Sequence, residues 1–428
     1  MVTEHQLQSV AAHLFRHESG KIKAVLSRIL GIQQLETAED IVQDTLLQAM
    51  HTWSYKGLPA NPAAWLMKSA KNRAIDLLRR QNRFNQISPE YAYLLQTDSE
   101  LEPALDQLFL DHEIRDSQLR MIFACCHPAI PHESQVALTL KTLCGLSNAE
   151  IARAFLSSEE TIAKRIYRAK EKINSESIPL QVPAGPALTE RLDAVLNSLY
   201  LLFNEGYNSS HPEQLIREDL CAEAMRLCHL LTENKETNRP GTRALLSLIC
   251  FQSSRLGARL DDQGQIILLQ YQDRSNWYRP LIKKGFEYLD TSIPIEDMAD
   301  PMRSITPYHL EAVIASLHAA APSFEKTNWV KIHQLYHLLL QYRPGPVVAM
   351  NKAIAAAYAF GSREALEELL QIRGLEQYYL YHTSLGEMFA NIKQFHEARI
   401  SFEKALRLAP NGRERELVQL KMAACPLP

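Results

Sequence analysis

Apolar residues recur at three- and four-residue intervals along almost the whole chain, which is the spacing of one face of an α-helix. Runs of β-branched residues of strand length are scarce, and the 428 residues include only 15 glycines. The best strand candidate, Gln265 to Tyr271 (QIILLQY), stands alone. The pattern therefore predicts an all-α protein.

Three polar or proline-rich breaks interrupt the helical pattern, and 428 residues suit two to four domains of about 100–200 residues each. The breaks are Gln81–Asp111, Ser175–Pro186 and Asp290–Pro307. We expect domains at residues 1–80, 112–174 and 187–428, joined by linkers at 81–111 and 175–186. The break near residue 300 would divide the last domain further.

The composition narrows the class of protein. Apolar residues make up 46% and charged residues 22%, as in ordinary folded proteins, which excludes disorder along the whole chain. The net charge of -3 excludes a uniformly basic nucleic-acid binder, although an average hides local basic patches. No apolar run approaches the roughly 20 residues that cross a bilayer, and the start lacks the layout of a secretory signal. We therefore expect a cytoplasmic protein without a membrane partner.

The cysteines and the known catalytic motifs do not indicate an enzyme. The seven cysteines are an odd number and form no CxxC pair, so we expect small buried apolar residues. Cys125-Cys126-His127 lacks the second ligand pair of a metal site. No phosphate-binding glycine loop, HExxH or GxSxG motif occurs. The sequence therefore predicts no enzyme, no cofactor and no metal.

An acidic segment comes first among the motifs. Residues 36–44 read ETAEDIVQD, with four acids and no base. Thr37 followed by Asp40 suits a capping box at a helix N-terminus. Taken alone, the segment is more typical of a solvated helix face beside a core.

A basic segment follows after a short Pro/Gly break. Asn61 and Pro62 suit a helix start, and the segment NPAAWLMKSAKNRAIDLLRRQNR then carries six bases against one acid, Asp76, between residues 65 and 83, a local charge of +5. Such a helix can neutralise phosphates, and the amide of Asn72 can bind a base edge. The charge alone also fits a basic surface helix without a partner. The six bases are Lys68, Lys71, Arg73, Arg79, Arg80 and Arg83.

A helix-turn-helix pattern occupies residues 146–173, LSNAEIARAFLSSEETIAKRIYRAKEKI. Ser147 with Glu150 and Ser157 with Glu160 predict two capped helices separated by about three residues. In this motif the N-terminal residues of the second helix reach base edges in the major groove, and later ones contact phosphates. The base-edge candidates are Ser158, Glu159, Thr161, Lys164 and Arg165, and the phosphate candidates are Arg168 and Lys172.

In this order, the three motifs resemble bacterial RNA polymerase sigma factors of the extracytoplasmic-function type, over about residues 1–174. AEDIVQDTLLQAMHTW is similar to the segment that docks on core RNA polymerase, NPAAWLMKSAKNRAIDLLRR to the segment that reads the promoter -10 element, and the helix-turn-helix to the module that reads the -35 element. The resemblance implies core RNA polymerase and promoter DNA as partners. It implies docking through Asp40, Gln43, Asp44 and Leu47, and -10 recognition through Trp65, Lys68, Lys71, Asn72, Arg73, Arg79 and Arg80.

The C-terminal part resembles the extension of a subgroup of these factors. Residues 382–410 match seven of eight positions of the 34-residue tetratricopeptide template, with His382 in place of the opening Trp. Such units often bind a peptide or protein segment, although one clear unit also suits a cap on a helical domain. The matching positions are Leu385, Gly386, Phe389, Ala398, Phe402, Ala405 and Pro410. Polar and aromatic residues between 204 and 277 suit a ligand groove or, more often, internal packing.

These observations together predict an alternative sigma factor: two small helical modules, the second a helix-turn-helix, and then a large tetratricopeptide-like domain that regulates activity. One alternative is a conventional helix-turn-helix regulator that binds duplex DNA alone, although the acidic helix would have no evident role there. A second is a tetratricopeptide scaffold with a non-functional N-terminal part.

Overall fold

The computed structural model of the chain describes residues 4–81, 103, 105–155, 157–208, 216–293, 304–409 and 412–426. In these ranges the regular structure is helical, and the only β-type pairing is a single bridge between Leu260 and Ile266. The predicted all-α class is confirmed. The strand candidate is wrong: part of it enters that bridge and Leu269–Tyr271 forms a 3₁₀ turn, because an isolated extended segment has no partner row to pair with.

The chain divides into two compact units, Met1–Leu202 and Phe203–Pro428. The first unit begins with three helices that share one apolar core, which includes Leu26, Ile41 and Leu66. They are α1 (Glu4–Leu30), α2 (Leu35–Lys56) and α3 (Pro62–Gln81).

The starts of α2 and α3 differ in how well the sequence predicted them. The predicted cap at Thr37 is wrong, because α2 begins two residues earlier at Leu35 and the Thr37 hydroxyl donates to the side chain of Gln34 instead. The start of α3 is confirmed: the Asn61 side-chain oxygen accepts from the backbone N–H of Ala64 at 3.0 Å, and Pro62 is the first helical residue.

The second part of the first unit holds the helix-turn-helix. Ser147 and Glu150 form the predicted reciprocal capping box. The second predicted cap is wrong by one residue, because Ser158 and not Ser157 accepts the N-terminal hydrogen bond. The helices are α4 (Asp111–Cys125), α5 (His132–Thr142), α6 (Asn148–Ala154) and α7 (Glu159–Ser175).

Cys125 and Cys126 are buried where α4 packs on α5. Their thiols contact the hydroxyls of Thr142 and Thr139 at 3.2 and 3.6 Å. Burial raises the pKa of both thiols well above the usual range, so they remain protonated at neutral pH. The predicted packing role of the two cysteines is confirmed.

The next helix, α8 (Pro186–Tyr207), contains the boundary between the two units. Its first part packs on the first unit, where Arg191 donates to the carbonyl of Phe123 at 2.6 Å. The boundary at Leu202 therefore lies beyond the expected linker at 175–186. The domain limits expected from the sequence stay predictions.

The second unit is a succession of helices in which neighbours along the chain pack on one another. The guanidinium of Arg274 donates to the carbonyl of Ala321 at 2.6 Å and lies 5.0 Å from the ring centroid of Trp277, so these residues fix internal packing. The helices are α9 (Glu218–Glu233), α10 (Pro240–Ser253), α11 (Arg279–Asp290), α12 (Pro307–Ala320), α13 (Trp329–Tyr342), α14 (Pro346–Ala359), α15 (Ser362–Leu370), α16 (Tyr379–Asn391), α17 (Phe395–Leu408) and α18 (Gly412–Ala423).

The segment that matches the tetratricopeptide template forms the hairpin of α16 and α17. Gly386 in α16 lies so close to the ring of Phe402 in α17 that a Cβ on the glycine would stand 2.6 Å from it. Ala398 and Ala405 are fully buried along the same contact. Pro410 of the template lies outside the described residues. The tetratricopeptide assignment itself stays a prediction.

Candidate nucleic-acid interface

The four residues expected to dock on the polymerase lie on one exposed face of α2. Asp40, Gln43, Asp44 and Leu47 follow helical spacing and are all exposed, while Ile41 on the opposite side is buried in the core. Leu47 is 64% exposed, so an apolar side chain lies at the surface beside the two carboxylates. We call these four residues the docking face.

The docking face extends further along α2 than the sequence reasoning proposed. Met50 and Tyr55 continue the same stripe and are 56% and 81% exposed. Their helical spacing from Leu47 was a usable signal, but an apolar residue in a helix is normally assigned to the core. The structure therefore adds an apolar end to an acidic surface.

Three of the residues expected to read the -10 element share one exposed face of α3. Lys68, Asn72 and Arg79 are exposed at four- and seven-residue spacing, with Asp76 between the last two. The side chain of Arg80 lies outside the described residues. This face offers two cations and an amide to a polyanion.

The other three residues of the -10 set contact protein. Lys71 is buried and forms an ion pair with Asp106, which precedes α4. Arg73 donates to Asp44 at 3.3 Å, and Trp65 is half-buried with its ring 5.5 Å from that of Trp53. The structure therefore does not bring these three side chains to the exposed face of α3.

The N-terminal end of α7, the second helix of the helix-turn-helix, points its polar side chains outward. Ser158, Glu159, Thr161, Lys164 and Arg168 are exposed. The Ser158 hydroxyl accepts from the backbone N–H of Thr161 at 3.1 Å and so caps the helix.

Two of the cations on α7 already have acidic neighbours. Lys164 donates to Glu160 at 2.6 Å on the surface, an exposed pair that water and salt weaken. Arg165 is half-buried and forms an ion pair with Glu133 of α5. Arg165 therefore ties α7 to α5, whereas Lys164 and Arg168 remain accessible to DNA.

Comparisons with known proteins assign families to three parts of the chain. Residues 14–84 match sigma-70 region 2, residues 120–173 match sigma-70 region 4, and residues 191–293 match a family of unknown function (DUF6596). The first two matches cover the helices that carry the expected docking, -10 and -35 residues. The third falls within the C-terminal part.

Proteins of similar sequence cover the same parts of the chain. An uncharacterised protein of Rhizobium meliloti (strain 1021) is 36% identical over 405 residues, 94% of this chain and 93% of the relative. The ECF RNA polymerase sigma-E factor of Haemophilus influenzae is 29% identical over 166 residues, 37% of this chain and 83% of the relative. The ECF RNA polymerase sigma-E factor of Escherichia coli (strain K12) is 29% identical over 147 residues, which are 33% of this chain and 74% of the relative. No solved structure matches.

An exposed acidic helix, a basic helix and a helix-turn-helix define a transcription initiation factor when they coincide with regions 2 and 4. The chain belongs to the sigma-70 family, as a factor of the extracytoplasmic-function type with a long C-terminal extension. Members of this family are non-enzymatic initiation factors that act with core RNA polymerase on promoter DNA. Within the described ranges no helix has the length and apolar character to cross a membrane.

Proposed function

We propose that this chain is an alternative sigma factor of the cytoplasm. It docks on core RNA polymerase through α2, contacts the -10 element through α3 and reads the -35 element with α7. The C-terminal extension regulates these steps. The region 2 and region 4 matches support the general role, and the residue assignments below rest on exposure and charge.

The docking face carries the proposal. Its two carboxylates, Asp40 and Asp44, favour a partner with positive charge, and complementary charge speeds encounter and fixes orientation. Leu47 lies beside them and presents an apolar side chain that is 64% exposed. An exposed leucine gains most when a partner removes it from water, so we assign it the largest share of the affinity.

The exposed face of α3 supports contact with the melted promoter strand. Lys68 and Arg79 each supply a cation for a phosphate, and binding through such contacts weakens as salt rises. Asn72 supplies an amide donor and acceptor for a base edge. Holding an unstacked base costs a few kcal/mol, which these contacts have to offset.

The exposed start of α7 supports reading of duplex DNA. Glu159 and Thr161 stand on the first turn of the helix, where this motif places base-edge contacts, and Arg168 stands two turns further on for a phosphate. Lys164 can exchange its surface pair with Glu160 for a contact with DNA, since an exposed pair of this kind contributes about 0–1 kcal/mol.

The extension is suited to regulation and to binding a protein or peptide segment. It is covalently attached to the promoter-reading part, so any contact between them would form at an effective concentration of about mM. The hairpin of α16 and α17 has the spacing of a tetratricopeptide unit, a class that binds peptide segments. The direction of the regulation is the quantity to measure.

Binding of the full chain to core RNA polymerase tests the docking face. Leu47→Ala should weaken core binding about tenfold or more, the effect of removing a central interface side chain. Leu420→Ala is the matched control, because Leu420 is a 71% exposed leucine that is not part of the docking face. Equal core affinities for the two variants would contradict the assignment. No core binding by the wild type would favour a conventional helix-turn-helix regulator.

Removal of residues 203–428 tests the regulatory role. This cut follows the boundary at Leu202 and keeps the contact of Arg191 with Phe123, which a cut at residue 187 would lose. A regulatory extension predicts a change in core affinity or in transcription from a responsive promoter. Unchanged values for both would sink the regulatory assignment and leave the docking assignment intact.

A further inference from the structure

The region 2 module (α1–α3) and the region 4 module (α4–α7) are in backbone contact in the first unit. Gly20 stands inside α1, and a Cβ built on it would lie 2.0 Å from the carbonyl oxygen of Leu143, just after α5. One turn further along α1, the ammonium of Lys23 donates to the carbonyl of Lys141 at 2.7 Å. Only glycine allows so close an approach of helix and turn.

An ion pair joins the same two modules at a second point. Lys170 of α7 lies 2.7 Å from a carboxylate oxygen of Glu39 in α2 and 3.8 Å from Glu36. The side chains of Lys170 and Glu39 are only 16% and 12% exposed, so solvent screens this pair less than a surface pair. This ion pair therefore connects α7, the helix expected to read the -35 element, with α2, the helix expected to dock on the polymerase.

A third contact involves the end of α1 and the start of α4. The guanidinium of Arg28 is 8% exposed and lies 2.6 Å from Glu113 and 3.2 Å from Asp116. A charged group buried to this degree needs its partners, because an isolated buried charge is costly. Separation of the modules at this point therefore requires that water replace two carboxylates.

The contact also crowds the docking face. Gln43 of the docking face and Leu46 beside it line a crevice whose other wall includes Leu146 and Ser147, where the helix-turn-helix begins. A polymerase helix laid along α2 would meet this wall. The region 4 module therefore stands where the partner has to approach.

The geometry of a promoter excludes this contact from the bound state. The -10 and -35 elements lie about 25 base pairs apart, which is roughly 85 Å of duplex at about 3.4 Å per base pair. Helices that read these two elements together cannot keep Lys170 within 2.7 Å of Glu39. The closed contact and promoter recognition are therefore mutually exclusive.

We propose that the two modules form a closed, self-inhibited arrangement in which the region 4 module covers the side of the polymerase-docking helix, held by Gly20–Leu143 and Lys170–Glu39. This inference rests on the proposed function of α2, α3 and α7. Core polymerase and promoter DNA bind the open form, and their apparent affinity is reduced by the fraction of molecules that are closed.

The charges at the contact suit an arrangement that opens. Lys23, Lys141 and Glu39 line one crevice, and Lys170 of α7 pairs with Glu39 and Glu36, so charged groups that a partner can replace hold the modules together here. One carboxylate oxygen of Glu39 is buried without a hydrogen-bond partner. A basic helix of the polymerase would compete with Lys170 for Glu36 and Glu39, which lie next to the docking face. Docking itself then favours opening.

Gly20→Ala in the full chain is the direct test. The new methyl group has no space against the backbone of Leu143, whereas alanine suits the interior of α1 better than glycine, so the helix remains folded. Cysteines introduced by Tyr55→Cys in α2 and Ser175→Cys at the end of α7 can carry spin labels. Pulsed electron paramagnetic resonance then measures the distance between the two labels, and hence the separation of the modules. Both positions are exposed, and all seven native thiols are buried.

The control for this variant is Gly257→Ala, whose added Cβ meets nothing within 4 Å. We expect a short distance in the wild type and the control, and a longer one in Gly20→Ala. The unlabelled Gly20→Ala protein should bind core polymerase about tenfold more tightly if about a tenth of the wild type is open. Unchanged distances, or longer distances with unchanged core affinity, would overturn the proposal.

Lys170→Gln provides a second variant that leaves α1 untouched, and Lys284→Gln in α11 is its control, since Lys284 pairs locally with Glu287 at 2.7 Å on the surface. Lys170→Gln should lengthen the distance and tighten core binding, and Lys284→Gln should do neither. Equal responses would refute the role of the ion pair. Failure of every protein to bind core polymerase would overturn the proposed function and the inhibitory role with it, whereas the label distances would still show whether the modules touch.

Discussion

Arg73 of α3 donates to the carboxylate of Asp44 in α2 at 3.3 Å and to the side chain of Gln48 at 3.1 Å. One arginine thereby connects the helix assigned to the -10 element with the docking face. The pair is 35% and 62% exposed, so its contribution to stability is about 0–1 kcal/mol. The pair matters for deciding which cations of α3 can contact DNA. Arg73 connects two helices, whereas Lys68 faces solvent.

The salt dependence of DNA binding should separate bracing cations from phosphate-binding cations. Replacing Lys68 by Gln should reduce the slope of log affinity against log salt by about 0.7–0.9, the value for one lost phosphate contact. Replacing Lys71 by Gln should leave the slope unchanged, because that lysine is buried against Asp106. The measurement is binding of the full chain to a 30-nucleotide single strand of random sequence at several salt concentrations.

Arg73→Gln extends this comparison. We expect the wild-type slope, with at most a small loss of stability. A slope reduced as much as in Lys68→Gln would show that Arg73 leaves Asp44 to contact a phosphate, and the assignment of Arg73 as a brace would then be wrong.

Local sequence patterns predicted the helices well but predicted the contacts between helices poorly. The cap at Asn61 and the box of Ser147 with Glu150 depend on residues three apart, and both formed. Lys170 and Glu39 are 131 residues apart, and no periodicity or motif links them. Gly20 was the one available signal, since a glycine inside a helical pattern often marks a close approach, but the pattern does not say to what.

Two adjacent serines show why helix starts are hard to place from sequence. Ser157 has an acid three residues later, Glu160, whereas Ser158 has Thr161 there. The cap nevertheless requires an extended backbone at the residue itself, and Ser158 has it, with φ -78° and ψ 150°. Ser158→Ala should lower the free energy of unfolding of the first unit by about 1 kcal/mol.

Ser157→Ala is the matched comparison for the cap. Ser157 contacts the preceding helix through its backbone N–H, which donates to the carbonyl of Ala152 at 2.9 Å and survives the substitution. We expect a change within about 0.5 kcal/mol in urea unfolding. A larger loss for Ser157→Ala than for Ser158→Ala would return the cap to the residue that the sequence favoured.

The hairpin of α16 and α17 depends on the small size of Gly386. A methyl group there would stand 2.6 Å from the ring of Phe402, which is 1% exposed and cannot move without loss of packing. Gly386→Ala should destabilise the second unit by about 1 kcal/mol, because overpacking of about 1–3 kcal/mol exceeds the gain in helix propensity of about 1 kcal/mol. Thermal unfolding measures the difference.

Two further variants make the reason for that loss specific. Gly412→Ala places its methyl group in open space at the start of α18 and should be neutral or slightly stabilising. Replacing the opposing aromatic ring by Phe402→Leu should lower the free energy of unfolding less in the Gly386→Ala protein than in the wild type, because the added methyl group and the ring compete for the same space. If the losses of unfolding free energy in the two single variants simply add up in the double variant, Gly386 is not required to make space for the ring of Phe402.

Lys23 gives the first unit a dependence on pH that the sequence does not suggest. Burial lowers the pKa of its ammonium from 10.5 to about 8; Glu39 opposes the effect, and Lys141 and Lys170 add to it. Below pH 8 the folded and the unfolded chain both hold the proton, and the folded state bears the full cost, about 3 kcal/mol at most. Between pH 8 and 10.5 the unfolded chain holds more protons, so the free energy of unfolding rises with pH.

Lys23→Met should remove this rise, since its side chain has a similar length and no proton to release. The variant's free energy of unfolding, relative to the wild type, should therefore be highest near pH 7 and fall as the pH passes through 8 towards 10.5. Urea unfolding at a series of pH values measures this difference, with Lys172→Met as a surface control that should leave the slope unchanged. A difference between Lys23→Met and wild type that stays constant from pH 7 to 10 would mean that the ammonium of Lys23 is not desolvated between α1 and the end of α5.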